Sequence, residues 1–226
     1  MPHITPAGET AFLLSFEQSP SPALTARLLA IAEALHRSAP GASLTCVPGY
    51  QTLMVHFQPG HIPRSDCEQL LAQHLNATPV TDSPERETVS IPVYYDPSVA
   101  PDLAWLADRA GLSINEVIAL HSDSSYHAYA NGFAPGFCYL GEVPERLAAP
   151  RLDTPRRAVP AGAVGIADRQ TAVYPCESPG GWRIIGRCPV ILFDQTNTPP
   201  NRINIGDRVK FEPIDRDTFH ALGGVL

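Results

Sequence analysis

Residues 159–193 read VPAGAVGIADRQTAVYPCESPGGWRIIGRCPVILF, a series of short apolar runs broken every few residues by Gly or Pro. A helix cannot persist through such punctuation, whereas short strands joined by tight turns can. Strands are expected at residues 163–167, 172–174, 182–186 and 190–193. The same texture begins with a strand at 125–130 and continues to one at 208–212, ahead of a short closing helix at 215–222. This spacing is that of an all-β sandwich or barrel.

Upstream the texture changes. Residues 10–17 alternate as a strand does, and Ser19-Pro20-Ser21-Pro22 breaks it. Leu24, Leu28, Ile31 and Leu35 then fall on one stripe of a 3.6-residue period that ends near Pro40-Gly41. Residues 43–47 and 52–57, joined by Pro48-Gly49-Tyr50-Gln51, read as a hairpin. Ser65 with Glu68, just after Pro63, predicts a capping box that opens a helix with Cys67, Leu70, Leu71 and Leu75 on its apolar face. The order is β-α-β-β-α. The polar stretch 78–88, with Pro79 and Pro84, reads as a linker, which places a boundary near residue 85. Beyond it come a strand at 89–95, a helix at 102–110 closed by Gly111, and a helix opened by a second capping box, Ser113 with Glu116. The expected class is α+β: a small α/β domain over residues 1–85 followed by a β-barrel domain over 86–226.

At 226 residues and 44% hydrophobic content the chain can bury a proper core. Its 16 basic and 23 acidic side chains give a formal charge of -7, which offers nothing to a phosphate backbone. The helix at 114–121 has the outline of a recognition helix but carries no Arg or Lys, so nucleic acid is not an expected partner. Lys210 is the only lysine and lies in an apparent strand, so there is no Walker loop. The five cysteines include no C-x-x-C pair and no secretory leader precedes them; a reducing cytoplasm is expected. The apolar runs are far shorter than a membrane span, and no membrane segment is expected.

Chemistry-bearing residues gather in the second half. Gly132-Phe133-Ala134-Pro135-Gly136-Phe137 predicts a rigid, shaped loop, either a turn plugging the barrel end or a binding surface. Seven arginines between 142 and 187 (146, 151, 156, 157, 169, 183 and 187) face five acids there, a local excess of two that suits capture of a small acid or a nucleotide. His121 stands at a helix-to-strand junction, as either a packed residue or a site residue. Gln170-Thr171 and Ser178-Pro179-Gly180-Gly181-Trp182 add amide, hydroxyl and backbone donors suited to orienting a small amide. No G-x-S-x-G elbow, H-E-x-x-H pair or Cys/His metal spacing is present, so no self-contained hydrolase template and no metal site is expected.

The run Gly132 to Gly141 (GFAPGFCYLG), Pro150-Arg151 with Pro155-Arg156, Val159-Pro160-Ala161-Gly162, and Ser178-Pro179-Gly180-Gly181-Trp182 with Ile185-Gly186-Arg187 resemble the family that contains the B subunit of 5-oxoprolinase, the KipI kinase inhibitor and the first subunit of allophanate hydrolase. The resemblance implies that the barrel is cyclophilin-like. It also implies a component of an ATP-dependent 5-oxoprolinase, inactive alone, that works directly with the C subunit of that enzyme and with its A subunit on a small lactam, using ATP with magnesium. The alternatives it carries are inhibition of a sensor histidine kinase and a part in an allophanate or urea-type amidohydrolase. Transferred motif by motif, it favours His121, Arg151 and Gln170 as catalytic residues and Arg156, Ser178, Phe133, Phe137 and Trp182 as substrate- or nucleotide-binding ones. The sequence departs from the family pattern at Ala163, Asp168, Ala172 and Cys188, where Ser, Gly, Gly and Thr are usual.

Overall fold

The computed structural model describes residues 2–77 and 88–226. The chain separates into two compact units, Met1–Glu85 and Arg86–Leu226. The expected linker, apart from Thr88, and the expected boundary near residue 85 lie outside the described residues.

The first unit is a four-stranded antiparallel sheet with two helices. Strands β1 (His3–Pro6), β2 (Ala11–Ser15), β3 (Thr45–Pro48) and β4 (Thr52–His56) run in the order β1-β2-β4-β3. Helix α1 (Pro22–Ser38) starts where Ser21 accepts a hydrogen bond from the Leu24 amide at 3.2 Å, with Pro22 tolerated in the first turn because its missing N–H would have no partner there. Its leucine and isoleucine stripe is fully buried against Phe12, Leu14, Leu53 and Val55 of the sheet. Helix α2 (Arg64–Ala77) buries Cys67, Leu71 and Leu75. It begins one residue before the expected capping box: Ser65 lies inside the helix and donates to the Asp66 carboxylate at 2.9 Å. Strand β1 escapes sequence reading because its four residues are mostly exposed and exist as a strand only through their ladder with β2.

The second unit is built on a closed barrel. Its strands are β5 (Thr88–Tyr94), β6 (Ser125–Asn131), β7 (Cys138–Gly141), β9 (Ala163–Ala167), β10 (Gln170–Val173), β12 (Arg183–Arg187) and β13 (Arg208–Ile214), in the order β10-β7-β6-β13-β5-β12-β9, with β9 returning to β10. Strands β5 and β13 form its one parallel pair, over seven matched residues. A separate ribbon joins β8 (Arg156–Val159) to β11 (Ser178–Gly180). The α+β class with a β-barrel is therefore what forms. Alternation along the strands decides two cores. Cys138, Leu140, Val164, Ile166, Val173 and Ile185 point inward to meet Leu103, Leu106 and Val117 of α3 (Leu103–Ala110) and α4 (Ile114–Asp123). Their neighbours Phe137, Ala163, Ala167, Ala172 and Ile184 point outward into a second cluster with Tyr174 and Trp182. Gly111 closes α3 with a left-handed φ of 63°, and the Ser113–Glu116 capping box opens α4 with both of its bonds made. Asp215 caps the last helix, α5 (Arg216–Ala221).

One expected strand is absent. Residues 190–193 form a loop with a single bridge, Phe193 to Asn201, because Pro189 cannot donate and Ile191 faces solvent; the Leu192 carbonyl accepts from the Arg202 amide instead, and the Asp194 amide just beyond donates to the Pro200 carbonyl. The short strands β7, β8 and β11 are additions to the expected set: each has three or four residues, and β11 includes Pro179, so only tertiary pairing reveals them.

The turn between β9 and β10 explains one departure from the family pattern. Asp168 has φ 51°, a left-handed conformation that a side chain disfavours and glycine does not. Replacing Asp168 by Ala is expected to cost about 1 kcal/mol, since alanine lacks the local hydrogen bonding that lets Asp tolerate this region, while Asp168→Gly should cost nothing. Urea-unfolding midpoints of the two variants check this, and equal losses would contradict it.

Candidate functional site

The outward cluster opens into a cage. Phe133, Phe137, Tyr139, Tyr174, Trp182 and Arg151, with the backbone of residues 179–181, enclose a cavity of about 110 Å³. The loop 132–137 sets its mouth. The Ala134 amide donates to the Gly132 carbonyl at 2.8 Å across Phe133, whose φ is 69°, a tight positive-φ turn that stores strain in a bulky residue. Pro135 and Gly136 (φ 84°) then take the two central places of a β-turn closed by the Phe137 amide donating to Ala134 at 3.0 Å, as the type II geometry demands of them. The consequence is that Phe133 is held 59% exposed at the rim while Phe137 is only 2% exposed beneath it.

The rings meet edge to face. Phe137 lies 4.9 Å from Tyr139, 5.4 Å from Tyr174 and 5.7 Å from Trp182, at interplanar angles of 64°, 84° and 86°. Phe133 leans on Phe137 at 5.2 Å and on Tyr174 at 6.0 Å. Small residues make room for this: Ala163, Ala167 and Ala172 lie in the same cluster, and a Cβ on Gly180 would run into the Tyr174 ring, with two of its carbons only 2.9 Å away. The Arg151 guanidinium sits 5.9 Å from the Trp182 ring centre, within cation–π reach. Burial pushes the Tyr174 hydroxyl pKa up, against the opposing pull of the Trp182 backbone and the Arg151 charge.

Behind the cage lies Asp102, almost fully buried. It accepts from Arg156 at 2.8 Å and from the Ile184 amide at 2.6 Å, with Arg183 at 3.7 Å. Arg156 in turn donates to the Trp182 carbonyl at 3.1 Å. This guanidinium therefore ties the Trp182 segment to Asp102 and holds it in place. Arg183 covers the face of Trp105 at 3.7 Å.

Of the eight residues singled out in the sequence, four (Phe133, Phe137, Arg151 and Trp182) line the cage, and Arg156 braces it. Ser178 stands on β11 beside the lining residue Pro179, its hydroxyl 3.5 Å from the Cys176 carbonyl. Gln170 opens β10 opposite Gly141, on the outer side of the barrel as Ala172 is, but outside the cavity lining. Sequence reasoning misses Tyr139, Tyr174 and Asp102. Tyr139 carries a usable signal, two residues beyond Phe137, which directly precedes β7, so that in extended backbone both side chains fall on one face; Tyr174 and Asp102 have no local signal.

His121 is elsewhere. It is 0% exposed in the barrel core, stacked on Phe211 at 4.5 Å. The Thr171 hydroxyl donates its one proton to the Gly165 carbonyl at 3.0 Å, so His121 Nε2–H must donate to Thr171 Oγ1, also at 3.0 Å. Nδ1 then accepts from the Tyr95 hydroxyl at 2.7 Å. Both nitrogens are satisfied and the ring is fully buried, so His121 stands in this structure as a packed histidine apart from the cage. Burial pushes its pKa down to about 3. In the unfolded chain a histidine protonates near its ordinary 6.5, so this buried neutral ring stabilises the fold fully above that value, and the contribution is lost as pH falls toward 3. The expected slope is about 1.4 kcal/mol per pH unit through that window. His121→Gln, whose amide can accept and donate in the same chain, should remove that component. Urea titrations at pH 7.5 and 5.0 check it, and identical pH dependence in both proteins would contradict it.

The model for the carboxyltransferase domain, subdomain C and D, matches residues 2–203. The chain belongs to this family. Among its relatives, a 5-oxoprolinase B subunit of Bacillus subtilis (strain 168) is 35% identical across 95% of this chain and 93% of its own, and one of Escherichia coli O157:H7 is 37% identical across 91% and 93%. The solved structure of TTHA0988 superposes with a TM-score of 0.78 and 40% identity over 91% of this chain, which spans only 40% of that longer one. Kluyveromyces lactis urea carboxylase, 15% identical, superposes with a TM-score of 0.76 over 97% of this chain and 22% of its own, a likeness of fold alone. Among the described residues of this family member, no group of three or more His, Cys, Asp or Glu could hold a metal ion, and no helix is long and apolar enough to cross a membrane.

Proposed function

We propose that this chain is the B subunit of an ATP-dependent 5-oxoprolinase, which with the A and C subunits opens 5-oxo-L-proline to L-glutamate. The observation that carries the reading is the 35–37% identity, over more than nine-tenths of this chain, to proteins named as B subunits of 5-oxoprolinase. The cage fits the reading: it offers aromatic walls, two of them tyrosines, and one guanidinium, but neither a nucleophile with its base nor a phosphate-binding loop. Its residues do not suit ATP with magnesium, which on this reading is held by the partner subunits. An unactivated amide resists water; phosphorylation of the lactam oxygen by ATP converts it into a leaving group, and on this reading the subunits share that chemistry. Mixing the purified chain with the A and C subunits should give ATP hydrolysis that depends on 5-oxo-L-proline, and omission of any one of the three should abolish it. Absence of turnover in the complete mixture would refute the reading.

A further inference from the structure

We infer that the cage holds the lactam itself, with Arg151 on its carboxylate, and that it excludes the nucleotide. The inference rests on the oxoprolinase reading above and assigns to this chain one specific half of the shared site.

Size comes first. Clefts for drug-sized ligands measure roughly 300–1,000 Å³. A cavity of about 110 Å³ takes one small ring with a single substituent and is too small to enclose a base, ribose and triphosphate. Wall geometry agrees. The rings of this cage meet at angles from 54° to 86°, so they form a box and not a slot between two parallel faces on which a flat base could stack. A puckered five-membered ring with methylenes on both sides fills a box, packing C–H groups on the aromatic faces.

Charge completes the fit. Arg156 and Arg183 share the Asp102 carboxylate, and Arg169 pairs with Glu142 at 2.7 Å. Arg151 makes no ion pair among the described residues, and its guanidinium lies against the cage wall. A guanidinium at the rim of an aromatic box is the element that a carboxylated lactam needs and a neutral lactam does not. Rim-exposed Phe133 also borders the mouth.

The test uses Trp182 as its own reporter. The chain has two tryptophans, so Trp105→Phe leaves the cage residue as sole tryptophan fluorophore. In that background, 5-oxo-L-proline should give a saturable change in emission, while magnesium-ATP gives none. Arg151→Gln should weaken 5-oxo-L-proline at least tenfold and leave the carboxylate-free lactam 2-pyrrolidinone unchanged. The same substitution in the complex of all three subunits should raise KM for 5-oxo-L-proline at least tenfold, with KM for ATP unmoved. A saturable response to ATP, an equal loss for both lactams, or a raised KM for ATP alone would overturn the inference. Turnover by the complex with no Trp182 response to 5-oxo-L-proline, in the chain or in the complex, would sink the inference and spare the oxoprolinase reading. Lactam binding without turnover would do the reverse.

Discussion

Asp102→Ala should destabilise the second unit by about 3–5 kcal/mol, the usual penalty when one partner of a buried ion pair is removed. The carboxylate is the common acceptor of Arg156, Arg183 and the Ile184 amide. Its loss strands a guanidinium that is largely out of solvent together with a backbone N–H in the interior of β12. The bond from the Ile184 amide is buried and the arginines are only partly exposed, so the cost exceeds that of a surface pair worth a few tenths. Asp102→Asn, which keeps an acceptor oxygen and loses the charge, should fall between Ala and wild type. Guanidinium unfolding followed by far-UV circular dichroism reads the series; a loss below about 1 kcal/mol for Asp102→Ala would show that the clamp is not needed.

Trp182→Leu should reduce 5-oxo-L-proline-dependent ATP hydrolysis by the mixture of three subunits at least 100-fold. The indole forms a full wall of the cage, backs Phe137 and Tyr139, and lies under Arg151. Leucine fills part of the volume but leaves an enlarged, shapeless cavity in which the ring can no longer be held at one orientation, and orientation supplies much of the rate in such reactions. Trp182 is only 5% exposed, so the substitution also costs roughly 2 kcal/mol of packing. Phe133→Ala separates the two effects: its side chain is at the rim, so activity should fall about tenfold with little change in stability. A Trp182→Leu chain that is folded and fully active would remove the cage from the reaction.

The parts legible in the sequence are those fixed locally. Residues 163–167 read as a strand and form one, and Ser113-x-x-Glu116 reads as a capping box and makes both bonds, because strand texture and cap chemistry are decided within a few residues. Leu24, Leu28, Ile31 and Leu35 read as one face and are all buried. The motif loop points to Phe133 and Phe137, and the Ser178 to Trp182 segment to Trp182, but not to why they belong together: they meet because the loop entering β7 and the segment entering β12 converge on the outward-facing side of the barrel. That placement depends on ladder register, which also decides the fate of the arginines. Arg151 and Arg156 look equivalent in Pro-Arg pairs five residues apart, yet Asp102, more than forty residues upstream, takes one and leaves the other. The packed environment of His121 is hidden from the sequence for the same reason. Its partners Tyr95 and Thr171 come from distant parts of the chain, and nothing near it in sequence announces that both nitrogens are satisfied.

If this chain lends a lactam-holding cage to a multi-subunit enzyme, formation of L-glutamate from 5-oxo-L-proline and ATP must depend on it. A mixture of the three subunits in which only this chain is varied tests that dependence most directly. No glutamate is expected without the chain, full formation with wild type, and at least 100-fold less with Trp182→Leu; equal rates in all three mixtures would contradict the account.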